Sequence, residues 1–201
     1  MSGSCDRITA MTEKDVLAIF KKEKALLEGH FLLSSGLHSA QYMQCALLLE
    51  KPWLAQKLCR ELAKKIKKIK VDVVIGPALG GILVSYEMGR ALKKRSIFAE
   101  RLDGELTLRR GFSLKKNEKV LIVEDVITTG KSTNEVAEIV KKNGAKFVGV
   151  ASIVDRSNGA AAFPAPNYSL LRMTIESYEP QKCPMCREGK TPAVKPGSRG
   201  G

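Results

Sequence analysis

VLIVEDVITTGKST, residues Val120 to Thr133, decides how the rest of the chain is read. Four apolar residues, Val120, Leu121, Ile122 and Val123, run into adjacent acids, Glu124 and Asp125, and then into a turn rich in hydroxyls and glycine. A helical pattern follows from Asn134 to Lys142. The apolar run is that of a buried strand. A strand ending in two carboxylates places them at the carboxyl edge of a sheet, where open α/β folds bind ligands. The turn offers backbone N–H groups and the hydroxyls of Thr128, Thr129, Ser132 and Thr133 at a helix N-terminus, a cradle for phosphate. Acids suited to a sugar diol or a metal, next to donors for a phosphate, point to a ribose phosphate.

The tail Gly130-Lys131-Ser132-Thr133 imitates the end of a Walker A loop, but the place of that loop's first glycine holds Asp125, so the P-loop reading fails. A core strand with a solvated turn would account for one carboxylate but not for the whole string. The string resembles the phosphoribosyl pyrophosphate signature of type I phosphoribosyltransferases. That resemblance implies an α/β fold, a parallel sheet flanked by helices under a small N-terminal hood. It also implies transfer of ribose 5-phosphate to a nitrogen nucleophile. Mapped onto this chain, Glu124 and Asp125 would hold the ribose hydroxyls, while Asp125, Val126, Ile127, Thr128, Thr129, Gly130, Lys131, Ser132 and Thr133 would wrap the 5′-phosphate.

The chain of 201 residues can bury one substantial core, and its 44% hydrophobic content is ordinary for a globular protein. No apolar run approaches the roughly 20 residues of a membrane span, and the start MSGSCDRITAM has no apolar signal-like core. A soluble, cytoplasmic protein is expected. The net charge of +13 would suit a nucleic-acid binder, but much of it lies in Lys64, Lys65, Lys67, Lys68, Lys70 and the tail, and no binding motif accompanies it. A solvated lysine face explains it better, and a positive field also suits a polyanionic substrate. Of the five cysteines, only Cys183 and Cys186 have ligand-like spacing. They make half a zinc site, which no second pair or nearby His completes in the sequence. Inert thiols are therefore expected; a knuckle shared across a dimer or a redox pair are the alternatives.

Thr12-Glu13-Lys14-Asp15 opens a helix with capping-box spacing, with Val16, Ile19, Phe20 and Leu27 on one face and Gly29 at its end. Two strands follow, Phe31 to Ser34 and Gln41 to Cys45, around Ser35-Gly36. The next helix starts at Pro52 and buries Trp53, Leu54, Leu58, Leu62, Ile66 and Ile69. Strands over Val71–Ile75, Ser96–Glu100, Lys119–Glu124 and Lys146–Val154 then alternate with helices over Gly81–Lys94 and Lys131–Asn143, with a loop from Asp103 to Ser113. This alternation predicts a parallel α/β sheet. The expected organisation is a hood over residues 1–50, a core over 51–180 and a flexible Cys-containing tail over 181–201, with Thr191 to Gly201 disordered.

Four further stretches carry site chemistry. Gly76-Pro77-Ala78-Leu79-Gly80-Gly81 is a strand-to-helix turn whose small residues let backbone N–H groups approach an anion. It resembles the family's pyrophosphate loop, through Ala78, Leu79, Gly80 and Gly81. Arg101, Arg109 and Arg110, in and beside the loop, can neutralise pyrophosphate as the glycosidic bond breaks. With Asp125 they are the candidate catalytic residues. The loop lacks the lysines and histidine familiar in the orotate-specific branch. Arg156, after a strand end, can fork onto a planar carboxylate, and in that branch an arginine in this place faces orotate. The run from Gly29 to Ser39 with Gln41-Tyr42-Met43-Gln44 resembles that branch's hood, where Tyr42 and Met43 would cover the pyrimidine and Ser34 stands in place of a lysine. His30 and His38 are expected to be structural or hydrogen-bonding.

The resemblance thus implies orotate and phosphoribosyl pyrophosphate as substrates, Mg2+ as cofactor, no protein-ligated metal and a homodimer. Type I members commonly pair, and loop residues can act across that interface. Composition and spacing alone stop at a sugar-phosphate-binding or nucleotide-binding α/β protein.

Overall fold

The computed structural model describes residues 10–33 and 35–196. Helix α1 (Glu13–Lys22) starts where the sequence predicts: the Asp15 N–H donates to the Thr12 hydroxyl at 3.3 Å, and the Asp15 carboxylate accepts the Thr12 N–H at 2.8 Å. It stops well before Gly29. Lys24 adopts a left-handed φ of 53°, and the Ala25 N–H returns to the Phe20 carbonyl at 2.8 Å, which closes the helix end. The chain is then free to extend as β1 (Leu26–Leu32), which pairs antiparallel with β2 (His38–Met43). These two strands form a separate hairpin, the expected hood, and a bulge between Glu28 and Phe31 bends it.

Helices α2 (Ala46–Leu49) and α3 (Pro52–Lys65) come next. The buried stripe of α3 is Ala55, Leu58, Cys59 and Leu62, with Ile66 just beyond. Trp53, expected on that stripe, is 66% exposed, because the first turn of α3 starts on the outer side. Lys64, Lys65, Lys67, Lys68 and Lys70 are all exposed, a solvated face as expected.

The core alternates β3 (Val73–Pro77), α4 (Gly80–Leu92), β4 (Arg95–Leu102), β5 (Glu105–Thr107), β6 (Lys119–Ile127), α5 (Lys131–Lys142), β7 (Lys146–Asp155) and β8 (Asn167–Arg172), before a 3-10 turn at Pro180–Lys182 and α6 (Pro184–Glu188). The sheet order is β5-β4-β3-β6-β7-β8. All neighbours are parallel except β4 and β5, an antiparallel hairpin whose second strand lies within the segment Asp103 to Ser113 expected as a loop. Leu106 is buried at that hairpin, which gives it an anchor. Strand β8 has no counterpart in the sequence reading.

The paired acids do not end their strand. Strand β6 continues to Ile127, and Val126 and Ile127 still pair with Val154 and Asp155 of β7. Along β6, side chains alternate between two core layers: Leu121 and Val123 join the layer of α3 and α4, while Val120 and Ile122 join the layer of α5. The C-terminal segment reaches the hood. Residues 191–196 are docked, not loose: Val194 bridges Phe31, its N–H reaching the His30 carbonyl at 2.8 Å.

Ile122 is fully buried on the central strand. Ile122→Ala should cost about 2–5 kcal/mol, read by denaturant unfolding at constant m-value. A loss under about 1 kcal/mol would mean that the α5 layer is not the close-packed core described here.

Candidate active site

Strands β3 and β6 pair from Val73↔Val120 to Ile75↔Ile122 and no further. Beyond that point β3 turns into α4 and returns as β4 on one side, while β6 runs on beside β7 on the other. Connections leaving in opposite directions open a crevice at the carboxyl ends of the strands, the place where such sheets bind ligands. The two signature stretches form its walls.

The wall on the β3 side is the turn from Gly76 to Gly81. A Cβ on Gly76 would overlap the Gly81 backbone, and one on Gly80 would overlap the Asp125 carboxylate. Only glycine lets the two walls come this close. The Ala78–Leu79 peptide is cis, and the Leu79 side chain is exposed. The turn leads directly into α4, so its N–H groups lie at a helix N-terminus.

The wall on the β6 side is the turn into α5. Glu124 and residues 126–133 line an open depression. Gly130, with φ 75°, is the N-cap of α5, and the Lys131 N–H donates to the Thr129 hydroxyl at 3.3 Å. Thr128 and Thr129 are exposed at the rim, Ser132 is half-buried, and Thr133 is buried at the base. Ile127 is a core residue and lends the cradle only its backbone.

Strand alternation sends the adjacent acids to different faces. Glu124 shares the α5 side with the cradle, whereas Asp125 meets Gly80 and lies near the buried Cys45. Burial pushes the Glu124 carboxyl well above its ordinary value of 4.5, and the charge of Asp125 adds to this. Burial also raises Asp125, opposed by the Val126 N–H, which donates to its Oδ1 at 2.9 Å. Burial, then the charge of Asp125, raises the Cys45 thiol. Two carboxyls whose burial disfavours the lone charge gain from hydroxyl donors or positive charge brought beside them.

Arg156 follows β7 directly, its N–H donating to the Ile127 carbonyl at 2.9 Å. Its guanidinium is half-buried, and among the described residues no carboxylate lies within ion-pair distance. The preceding Asp155 is fully engaged, accepting from the Ser157 N–H and the Asn167 side-chain amide, both at 2.9 Å. Burial lowers the Arg156 pKa, and the nearby phenol of Tyr42 opposes that. The hood thus comes near the end of β7 through Tyr42.

Other predicted residues are placed differently. Met43 is 5% exposed and packs in the core beneath the hood, so Tyr42 alone of that pair reaches the Arg156 side. Arg101 pairs with Glu135 of α5 at 2.7 Å. Arg110 forks onto Glu100, both contacts at 2.9 Å, with Arg109 3.9 Å from the same carboxylate. The arginines thus sit in surface ion pairs on the β4–β5 hairpin and outside the depression. Ser34 lies outside the described residues.

The phosphoribosyl transferase domain family matches residues 48–177, from α2 to beyond β8. The chain belongs to the phosphoribosyltransferase family. It is 54% identical over 187 residues to an orotate phosphoribosyltransferase of Carboxydothermus hydrogenoformans, covering 92% of this chain and 97% of the relative. It is 56% identical over 189 residues to that of Caldicellulosiruptor saccharolyticus, covering 94% and 98%. Among solved structures, an orotate phosphoribosyltransferase from Aeropyrum pernix superposes with a TM-score of 0.67 at 25% identity, covering 79% of this chain and 93% of that one. An adenine phosphoribosyltransferase from Thermoanaerobacter pseudethanolicus shares the fold alone, with a TM-score of 0.59 at 15% identity over 66% of this chain and 88% of that one. Phosphoribosyltransferases for different bases thus share this fold, and the base must be argued from the site.

The raised Glu124 carboxyl has a stability consequence. A carboxyl whose folded pKa exceeds its unfolded one favours folding below the unfolded value and loses that advantage as pH rises through the folded one. Glu124→Gln should therefore raise the melting temperature of the free protein at neutral pH, by about 2–4 °C per kcal/mol relieved. The gain should vanish below about pH 4, where both states hold the proton. Thermal melts of both proteins across that range test this; a gain independent of pH would locate the effect in packing.

Proposed function

We propose that this phosphoribosyltransferase is an orotate phosphoribosyltransferase, forming orotidine 5′-monophosphate and pyrophosphate from orotate and phosphoribosyl pyrophosphate. The observation that carries the choice of base is Arg156, a half-buried cation with no carboxylate partner among the described residues, next to Tyr42 of the hood. A planar, anionic base bearing a carboxylate satisfies both: the guanidinium forks onto it and the phenol covers the ring. An uncharged purine would leave Arg156 unpaired. The relatives above 50% identity carry the orotate name.

In this reading the α5 cradle holds the 5′-phosphate, Glu124 and Asp125 hold the ribose hydroxyls, and the turn from Gly76 to Gly81 takes the pyrophosphate. A substrate stretched between the two walls presents its anomeric carbon in the crevice. The bond from that carbon to the pyrophosphate oxygen breaks with its electron pair leaving on pyrophosphate, and the orotate ring nitrogen forms the new bond as its N–H proton passes to solvent. Carboxylates beside the ribose favour the developing positive charge on the sugar, and backbone N–H groups favour the charge on the leaving group. Arg101, Arg109 and Arg110 would reach pyrophosphate by exchanging their exposed pairs with Glu100 and Glu135, which are weak in water.

The oxygen donors Glu124 and Asp125 fit a hard divalent cation such as Mg2+. Because the two stand on different faces, either one would hold the ion only with the help of substrate oxygens; bound there, it would neutralise charge on the leaving group. A homodimer fits the exposed Trp53, Leu83 and Tyr86 on α3 and α4, two helices that pack together. Among the described residues no helix is long and apolar enough to cross a membrane. The unpaired thiols Cys45, Cys59, Cys183 and Cys186 accord with a reducing, cytoplasmic setting.

Pyrophosphate release should occur with orotate and not with uracil, adenine or hypoxanthine. Arg156→Ala should raise the KM for orotate by about 30-fold, the equivalent of losing ~2 kcal/mol of charged hydrogen bonding, with the KM for phosphoribosyl pyrophosphate nearly unchanged. Equal rises in both constants would remove Arg156 from the base pocket. Tyr86→Glu should shift the light-scattering mass of the native protein from dimer to monomer; an unchanged dimer would put the interface elsewhere.

A further inference from the structure

Outside the cleft, four side chains converge from opposite ends of the sequence. His30 on β1 and His38 on β2 meet Cys183, which caps α6, and Cys186 within that helix. Their ligating atoms all lie within 4.8 Å of one another. The histidines thus supply the half-site that sequence spacing did not show, and all four groups come from one chain, so no dimer partner is needed.

The distances from His30 to the two sulfurs are those of a tetrahedral cage, and the two ring nitrogens, now at hydrogen-bond distance, would separate by about half an ångström to admit the ion. With zinc–sulfur bonds of about 2.3 Å and zinc–nitrogen bonds of about 2.05 Å, tetrahedral ligands stand ~3.55 Å apart for sulfur–nitrogen and ~3.35 Å for nitrogen–nitrogen. Here Cys183 Sγ lies 3.5 Å from His30 Nε2, Cys186 Sγ lies 3.6 Å from His30 Nε2 and 3.2 Å from His38 Nδ1, and the two ring nitrogens are 2.8 Å apart. The other nitrogen of His30 has its own partner: Nδ1 lies 2.9 Å from the Thr191 carbonyl, which can only accept. Nδ1 therefore carries the proton, and the Nε2 lone pair is left facing the cluster, the outer-shell arrangement that orients metal-bound imidazoles. Cys183, His30 and His38 are buried, so three of the four groups are already withdrawn from water.

We infer that His30, His38, Cys183 and Cys186 bind a structural zinc ion that fastens the C-terminal segment to the hood hairpin. Two thiolates and two imidazoles are the soft and borderline donors that select zinc, and four protein ligands leave no open coordination position for chemistry. The inference stands apart from the orotate assignment, since none of the four residues lines the cleft. What the ion would hold is substantial. Helix α6 has five residues and cannot persist by its own hydrogen bonds. The tail strand through Val194 adds a single bridge to β1.

The test is metal analysis of the native full-length protein, purified without chelator or affinity metal. One zinc per chain is expected, released on titrating the thiols with a mercurial. Replacement by cobalt(II) should give the visible bands of a tetrahedral ion with thiolate charge transfer. Cys186→Ser, at the exposed corner, should lower zinc content and melting temperature, and excess chelator should lower the melting temperature of the unmutated protein but not of the variant. Substoichiometric metal together with chelator-insensitive melting would overturn the site and leave a hydrogen-bonded His–Cys cluster. Iron in place of zinc would overturn the choice of ion.

Discussion

The cleft depends on the contact between Gly80 and the Asp125 carboxylate. Strands β3 and β6 separate after Ile75 and Ile122, and their following turns would drift apart if nothing held them face to face. Removing one Cβ lets the α4 N-terminus press against a carboxylate on the overhanging end of β6. Helix N-terminal N–H groups next to an acid are mutually favourable. The same N–H groups remain directed at the crevice, where a phosphate-bearing ligand would compete with that acid.

That acid is costly because it is buried. Burial makes both Glu124 and Asp125 hard to ionise, and the charge of Asp125 adds to the difficulty at Glu124. A fold optimised for stability would place valine or threonine there, as β6 does at Val123 and Val126. Retaining acids where the strand overhangs its neighbour only makes sense if something bound there repays the desolvation, either sugar hydroxyls or positive charge. The strand's continuation to Ile127 sharpens this. It fixes the two carboxylates on opposite faces of the sheet, one toward the phosphate cradle and one toward the β3 turn, so a single ligand can be held from both sides.

Most of this frame was legible in the sequence because it is local. The apolar run of β6, the glycines after β3 and the capping box at Thr12 each dictate a conformation over a few residues, and the structure follows them. The failures are of another kind. Helix α1 stops at Lys22 because Lys24 takes a left-handed conformation, which nothing in a lysine announces. Met43 and Tyr42 look equivalent as hood residues, but strand alternation puts Met43 in the core and leaves Tyr42 half-buried on the other face. The β5 hairpin hides in a polar loop whose anchor is the single residue Leu106. Arg101, Arg109 and Arg110 find Glu135 and Glu100, partners whose proximity depends on the sheet order.

The His–Cys cluster shows the same limit at its largest range. A pair of histidines eight residues apart and a pair of cysteines three apart are each unremarkable, and more than 140 residues separate the two pairs. Only the path of the tail, back across the sheet to bridge Phe31 and to reach His38 through Tyr178, brings them together. That path also gives the cluster its consequence for the cleft. Strand β2 starts at His38 and ends at Met43, so the residue that would meet the base, Tyr42, sits on a strand whose first residue is gripped by the tail. A two-stranded hairpin alone is marginal in water. Anchoring one end of β2 limits how far the hood can swing from Arg156, and so would couple the C-terminal segment to the pocket proposed for the base.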